Sequence, residues 1–150
     1  MVRPTHADRA FDGLGAATYG GRWNRPGTAM IYCSGSLALA ALEVLVHGSP
    51  EDLAGEFQAI SATLPRGTTL EVVTPDELPP RWRAHPPPPE IPRFGSRWAA
   101  ERRSAALVVP SAVVPLEWNL LLAPWVGRDI VIEDVERHPF SFDPRLWEPR

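Results

Sequence analysis

The chain has 150 residues, 44% hydrophobic and 22% charged, with a net charge of -3 and a pI near 5.8. One domain spanning residues 1–150 is expected, because a chain of this size buries roughly 70% of the surface its unfolded form exposes. The acidic balance argues against direct nucleic-acid binding, which needs a basic face. A single cysteine, Cys33, cannot form an internal disulfide, and no apolar run approaches the roughly 20 residues that cross a bilayer. Without a basic and apolar leader at the start, cytoplasmic residence is expected.

Met1 to Ala17 reads as loop with a short extended piece before Pro4, and Phe11 as a core anchor. Ala29 to Cys33 is an apolar run suited to a buried strand. Ser36 is a good N-cap for a helix running to about His47, with Gly48 placed to end it. That helix is apolar all round and is therefore expected to be buried, which makes Glu43 within it conspicuous. Pro50 to Leu53 suits a helical turn, Phe57 to Leu64 a half-buried strand, Leu70 to Val73 a further strand, and Pro75 to Leu78 a turn or short helix.

Seven of the 18 prolines fall between Pro79 and Pro92, which favours an extended surface loop of polyproline character rather than a linker. Ser96 to Arg103 resembles a short helix with Trp98 facing inward, and Ala105 to Val109 a central strand. Glu117 to Leu122 has no clear assignment. Ile130 to Val135 reads as a strand, and Phe140 to Asp143 as a possible terminal one. Strands outnumber helices without strict alternation, so the expected fold is α+β, a single compact domain with a mixed sheet.

Chemistry concentrates between Tyr19 and His47. Glu43 is either a structural carboxylate satisfied by a nearby donor or a catalytic one held in an apolar wall; a buried charge without a partner costs several kcal/mol, so a donor must be near. Arg22 is the candidate donor by sequence proximity. Arg22 could equally be a plain surface arginine, but Gly20-Gly21 before it offers a ligand close access to the main chain, and its planar fork suits a phosphate or carboxylate. Tyr19, Trp23 and Tyr32 offer flat surfaces for stacking, or simply packing. His6, His47, His85 and His138 lack metal-site spacing, so no metal is expected. Phosphate-loop, dinucleotide-fold and serine-hydrolase motifs are missing.

Taken together, Gly20-Gly21-Arg22-Trp23-Asn24, Pro26-Gly27-Thr28, Ile31-Tyr32, Ser36 to Ala40 leading to Leu42-Glu43, Arg103-Ser104, Val109 to Pro115, Glu117-Trp118-Asn119 and Phe140 to Leu146 resemble the RES-domain family. These are the toxin halves of bacterial toxin–antitoxin pairs, named for an arginine, a glutamate and a serine. The resemblance implies a fold similar to the ADP-ribosyltransferase core and NAD as substrate, not cofactor, with its nicotinamide–ribose bond cleaved. It implies a neutralising partner, a helical Xre-like antitoxin, in a hetero-oligomeric complex. By the same resemblance Arg22, Glu43 and Ser104 match the naming residues, Tyr32 stacks on nicotinamide, and Gly21, Arg22, Trp23, Tyr32, Ser104 and Asn119 bind NAD. The chain departs from the family at Ala123-Pro124-Trp125-Val126, where members commonly carry Asn-Pro and a histidine.

The chemistry fits a lone carboxylate. Cleavage of the N-glycosidic bond passes through an oxocarbenium-like ribose, which Glu43 can stabilise by charge and by bonding the 2-hydroxyl. Nicotinamide leaves NAD as a cationic leaving group, so no general acid is needed. Water, phosphate or a macromolecular group could accept the ribosyl cation, so glycohydrolase, phosphorylase and ADP-ribosyltransferase activities all stay open. An inactive binding partner is the alternative of another class.

Overall fold

The structure, a computed structural model, describes residues 1–124 and 132–147. In chain order it forms α1 (Leu14–Tyr19), β1 (Ile31–Ser34), α2 (Leu37–Leu45), α3 (Pro50–Leu53), β2 (Phe57–Thr63), β3 (Leu70–Val72), α4 (Glu90–Glu101), β4 (Ala106–Pro110), β5 (Trp118–Leu122) and β6 (Glu133–Phe140). Short 3-10 helices occupy Pro4–Arg9, Pro75–Glu77 and Pro144–Leu146. A four-stranded sheet runs in the order β1-β5-β4-β3, antiparallel except for the parallel pair β3 and β4. β2 and β6 form a separate antiparallel pair. The fold is α+β with a mixed sheet, as the sequence pattern implies.

Alternation in the central strands builds two core layers. Leu107, Val109, Leu121 and Ala123 point to one face and pack with Ile91, Trp98 and Ala99 of α4. Ala106, Leu122 and Ile31 point to the other, with Phe11, Cys33 and Leu120 against them. β5 has no clear sequence signature for this reason: a strand covered on both faces carries a continuous leucine run, which periodicity cannot separate from buried helix. A third cluster of Leu53, Phe57 and Phe142 closes the β2–β6 side, where the rings of Phe57 and Phe142 meet edge to face with centroids 5.4 Å apart.

Five expectations change. Met1 to Ala17, expected as loop, carries the 3-10 segment Pro4–Arg9 and the start of α1 (Leu14–Tyr19). α2 is capped as anticipated, with Ser36 Oγ accepting from the Leu39 N–H at 3.1 Å, but it is not buried all round. Leu37, Leu42 and Val46 are 51%, 40% and 54% exposed, and Leu39 alone within the helix is fully covered. Its apolar composition is the same on both faces, so sequence could not tell the face against β1 and the third cluster from the open one. α4 begins at Glu90 rather than Ser96; Pro92 is accommodated in the first turn, where backbone N–H groups have no intrahelical acceptor to lose.

The proline-rich segment is therefore shorter than expected, and it is not extended. Successive turns close it, with Trp82 N–H on the Pro79 carbonyl at 3.1 Å and Ala84 N–H on the Arg81 carbonyl at 2.8 Å. Arg81 takes a left-handed φ of 64° between them. Finally, the strand expected over Ile130–Val135 is described from Glu133 and runs on to Phe140 as β6, pairing residue for residue with β2 from Phe57↔Phe140 to Ser61↔Glu136, and no separate strand follows over 141–143. Ile130 and Val131 lie outside the described residues.

α4 seats on the chain through Gly95. A Cβ there would stand 1.9 Å from the Trp23 carbonyl oxygen. An exposed helical Gly→Ala change gains about 1 kcal/mol from propensity, whereas overpacking costs about 1–3 kcal/mol or more. Gly95→Ala is therefore expected to lower the urea midpoint, and an unchanged or raised midpoint would show that α4 does not pack on Trp23 this closely.

Candidate functional site

Pairing in an antiparallel ladder puts opposed side chains on the same face. Ser34 of β1 faces Asn119 of β5, which faces Val109 of β4; one step along, Tyr32 faces Leu121. The sheet face that carries α4 over its β4 side thus presents Tyr32, Ser34 and Asn119 over its β1 side. Cys33 points the opposite way into the second core layer, where burial pushes its thiol pKa up, so it offers no thiolate to this site.

Glu43 reaches this face from α2. Its Oε1 accepts from Asn119 Nδ2 at 2.6 Å and from Ser111 Oγ at 2.9 Å. Both donors are fixed in turn. Asn119 Oδ1 accepts from Ser34 Oγ at 2.8 Å. Ser111, buried directly after β4, accepts at Oγ from the N–H groups of Val113 and Val114 at 3.1 and 3.0 Å, so its one proton is directed at Glu43. Glu43 Oε2 has no hydrogen-bond partner among the described residues.

Arg22 is not the donor for Glu43. Its Nη1 donates instead to the carbonyls of Trp82 and Ala84, at 2.7 and 3.1 Å, and so holds the turns of the proline-rich segment in place. The Arg22 pKa is lowered chiefly by burial; the Glu43 charge opposes that shift and the Arg83 charge adds to it, so both groups lie within electrostatic reach.

Tyr32 presents its ring and hides its hydroxyl. The residue is 42% exposed, yet the phenol oxygen accepts from Trp23 N–H at 3.1 Å and donates to Asn24 Oδ1 at 2.6 Å. Burial of that end pushes its pKa from 10.0 up to about 12. A hydroxyl so committed is no proton carrier near neutrality; the open ring face is what a ligand meets. Asn24 organises the loop below, its Nδ2 donating to the carbonyls of Ala16, Arg25 and Thr28. Gly21 serves the same packing, since a Cβ there would meet the Tyr32 hydroxyl at 2.5 Å.

Two of the residues expected in the site, Trp23 and Ser104, are buried and engaged in packing or hydrogen bonds of their own. Trp23 is 2% exposed and packs in the main core against Trp82 and Phe94, so its ring cannot stack on a ligand. Ser104 precedes β4 whereas Ser111 follows it, a separation of roughly 20 Å at strand rise. Ser104 accepts from Trp98 Nε1 at 2.8 Å and lies 3.0 Å from Glu71 Oε1, which Arg103 also holds. It anchors α4 to β3 at the far end of the sheet. The serine beside Glu43 is Ser111, missed because Arg103-Ser104 sits nearer the motif while Ser111 hides in a proline-bounded apolar stretch. Ala123 is buried in the core; Trp125 and Val126 lie outside the described residues.

The structure thus brings the anchored Glu43 carboxylate to the sheet face that presents Tyr32, with the half-buried Arg22 within electrostatic reach of Glu43. The chain belongs to the RES domain family, whose sequence profile matches residues 2–143. It is 37% identical over 148 residues to Toxin Res of Photorhabdus laumondii, covering 97% of this chain and 94% of that one. Toxin Res of Yersinia enterocolitica is 38% identical over 147 residues, covering 97% and 96%. A Sphingobium protein named Prs ADP-ribosylating toxin is 38% identical over 138 residues, covering 91% and 86%.

The Tyr32 arrangement is testable by titration. The chain has two tyrosines, so in a Tyr19→Phe variant tyrosinate absorbance reports on Tyr32 alone and should develop only as pH nears 12. Because the folded pKa is raised, the stability this group contributes is complete below pH 10 and is lost as pH rises through about 12. Ionisation at pH 10 would show that the hydroxyl is not enclosed.

Proposed function

We propose that the protein is a toxin that cleaves the nicotinamide–ribose bond of NAD and so depletes the dinucleotide. The observation that carries this reading is the carboxylate of Glu43, with Oε1 held by Ser111 and Asn119 and Oε2 left for a ligand. A carboxylate fixed by neutral donors needs no reorganisation as positive charge develops on ribose, which is where electrostatic preorganisation lowers a barrier. In this reading Glu43 stabilises the oxocarbenium-like ribose and bonds its 2-hydroxyl, Tyr32 stacks on nicotinamide, and Arg22 binds the anionic part through Nη2 and Nε, which its carbonyl contacts leave unused. Ser111 and Asn119 are positioning residues.

Transfer of ADP-ribose to a macromolecule is the second reading, supported by the name of the Sphingobium relative and by a fold of the ADP-ribosyltransferase type. The names of the Photorhabdus and Yersinia relatives support pairing with an antitoxin, for which we propose a helical, Xre-like partner in the cytoplasm. The open apolar side of α2, beside Glu43, is surface of the kind that protein partners cover.

Purified protein incubated with NAD, with and without phosphate, should release nicotinamide; the accompanying product, ADP-ribose or its phosphate ester, identifies the acceptor. No release in either condition would sink the reading. Glu43→Gln should reduce turnover by about 100- to 1,000-fold with the fold intact.

The two serines should separate. Ser111→Ala is expected to lower kcat by at least about tenfold, because Glu43 loses one of its two anchors. Ser104→Ala should instead cost about 1–3 kcal/mol of stability, by leaving Trp98 Nε1 unpaired, and should spare kcat. The reverse pattern would return the catalytic role to Ser104.

A further inference from the structure

The segment between Pro79 and Pro89 touches both walls of the site. Arg22 grips it by the Trp82 and Ala84 carbonyls, and the residue between them, Arg83, reaches the other way. Arg83 Nε and Nη2 fork onto the Ala112 carbonyl, at 3.2 and 3.1 Å, immediately after Ser111. Two guanidinium groups are thereby brought to the same site by the same three residues of backbone.

Both are held by neutral carbonyls. Among the described residues neither Arg22 nor Arg83 forms an ion pair, although ion pairs occur at Arg9, Arg97, Arg103, Arg137 and Arg145. Each keeps unused donors: Nη2 and Nε on Arg22, Nη1 on Arg83. The two charges are also close enough to disfavour one another, Arg83 adding to the lowering of the Arg22 pKa that burial begins. Like charges fixed side by side in a protein of net charge -3 leave a local excess that a doubly charged ligand group neutralises. The Nε–Nη2 edge of Arg22 is the planar fork suited to phosphate oxygens, and Arg83 adds a charge-assisted donor at Nη1.

Resting on the NAD reading above, we infer that Arg83 is a second diphosphate-binding residue, paired with Arg22 and delivered by the proline-rich segment. The segment then acts as a strap: filling the anion site tightens its two hands, one on the Arg22 loop and one on the residue after Ser111. Its own proline content suits it to this, since fixed φ angles leave less chain entropy to lose when it is held.

The test compares Arg83→Met and Arg83→Lys on two substrates, NAD and nicotinamide riboside, which carries the scissile bond without phosphate. Arg83→Met should raise KM for NAD on the order of tenfold with kcat little changed, and leave kcat/KM for the riboside unaltered; Arg83→Lys should recover part of the loss. Inorganic pyrophosphate gives a second readout, competing with NAD in the unsubstituted protein and about tenfold more weakly in Arg83→Met. Equal losses on both substrates would mean that Arg83 only braces the Ser111 turn, and that result, or unchanged pyrophosphate inhibition, overturns the inference while leaving the NAD reading standing. Failure of the unsubstituted protein to release nicotinamide from NAD overturns both.

Discussion

The bridge from Glu43 to Ser111 and Asn119 is the constraint on which the site depends. It ties helix α2 to the turn after β4 and to strand β5, which lie 68 and 76 residues further along the chain. Each partner is held by a second bond of its own, Asn119 by Ser34 across the β1–β5 ladder and Ser111 by two backbone N–H groups. A carboxylate on a helix with one open side would otherwise swing into water. Two donors on one oxygen remove that freedom and leave the other oxygen aimed.

The sheet pattern is what makes the bridge possible. Asn119 can meet both Ser34 and Glu43 because β5 lies between β1 and β4, with register Ser34↔Asn119↔Val109. β4 then ends at Pro110, opposite Trp118, and Ser111 follows with its N–H on the Glu117 carbonyl at 2.8 Å, two residues past the level of Asn119. The same strand begins beside Ser104, and the length of β4 keeps the Trp98–Ser104–Glu71 cluster apart from the Glu43 cluster. One strand carries a structural serine at its start and a site serine at its end.

What the sequence showed and what it hid follow the range of the interactions. The Ser36 cap, the β4 strand and the inward Trp98 rest on local chemistry, and they read correctly. Glu43 stood out because a carboxylate in an apolar helix demands a partner. The identity of that partner is a tertiary fact, so Arg22, near in sequence, took the place of two residues distant in sequence and adjacent in space. Sequence left Trp23 open as a stacking surface or as packing, and the covering that decides it comes from Gly95 and Phe94 some 70 residues away. The turns of the proline-rich segment are held by the distant Arg22 as well as by Pro80 at the second position of the first turn, and the first of these contacts is invisible in sequence.

That Glu43 and Arg22 do not bond each other has a consequence for chemistry. A direct ion pair would satisfy both charges and oblige an incoming substrate to break it, and breaking a partly buried pair costs several kcal/mol. Held by neutral donors and acceptors, the carboxylate and the guanidinium stay near enough to feel one another and free enough to act on a ligand. The dinucleotide proposed as substrate, with a cationic ring at one end and a diphosphate behind it, has the complementary order of charge. The neutral scaffold of Asn119, Ser111, Trp82 and Ala84 is therefore as much a part of the site as the two charged groups, since it keeps them from cancelling before the substrate arrives.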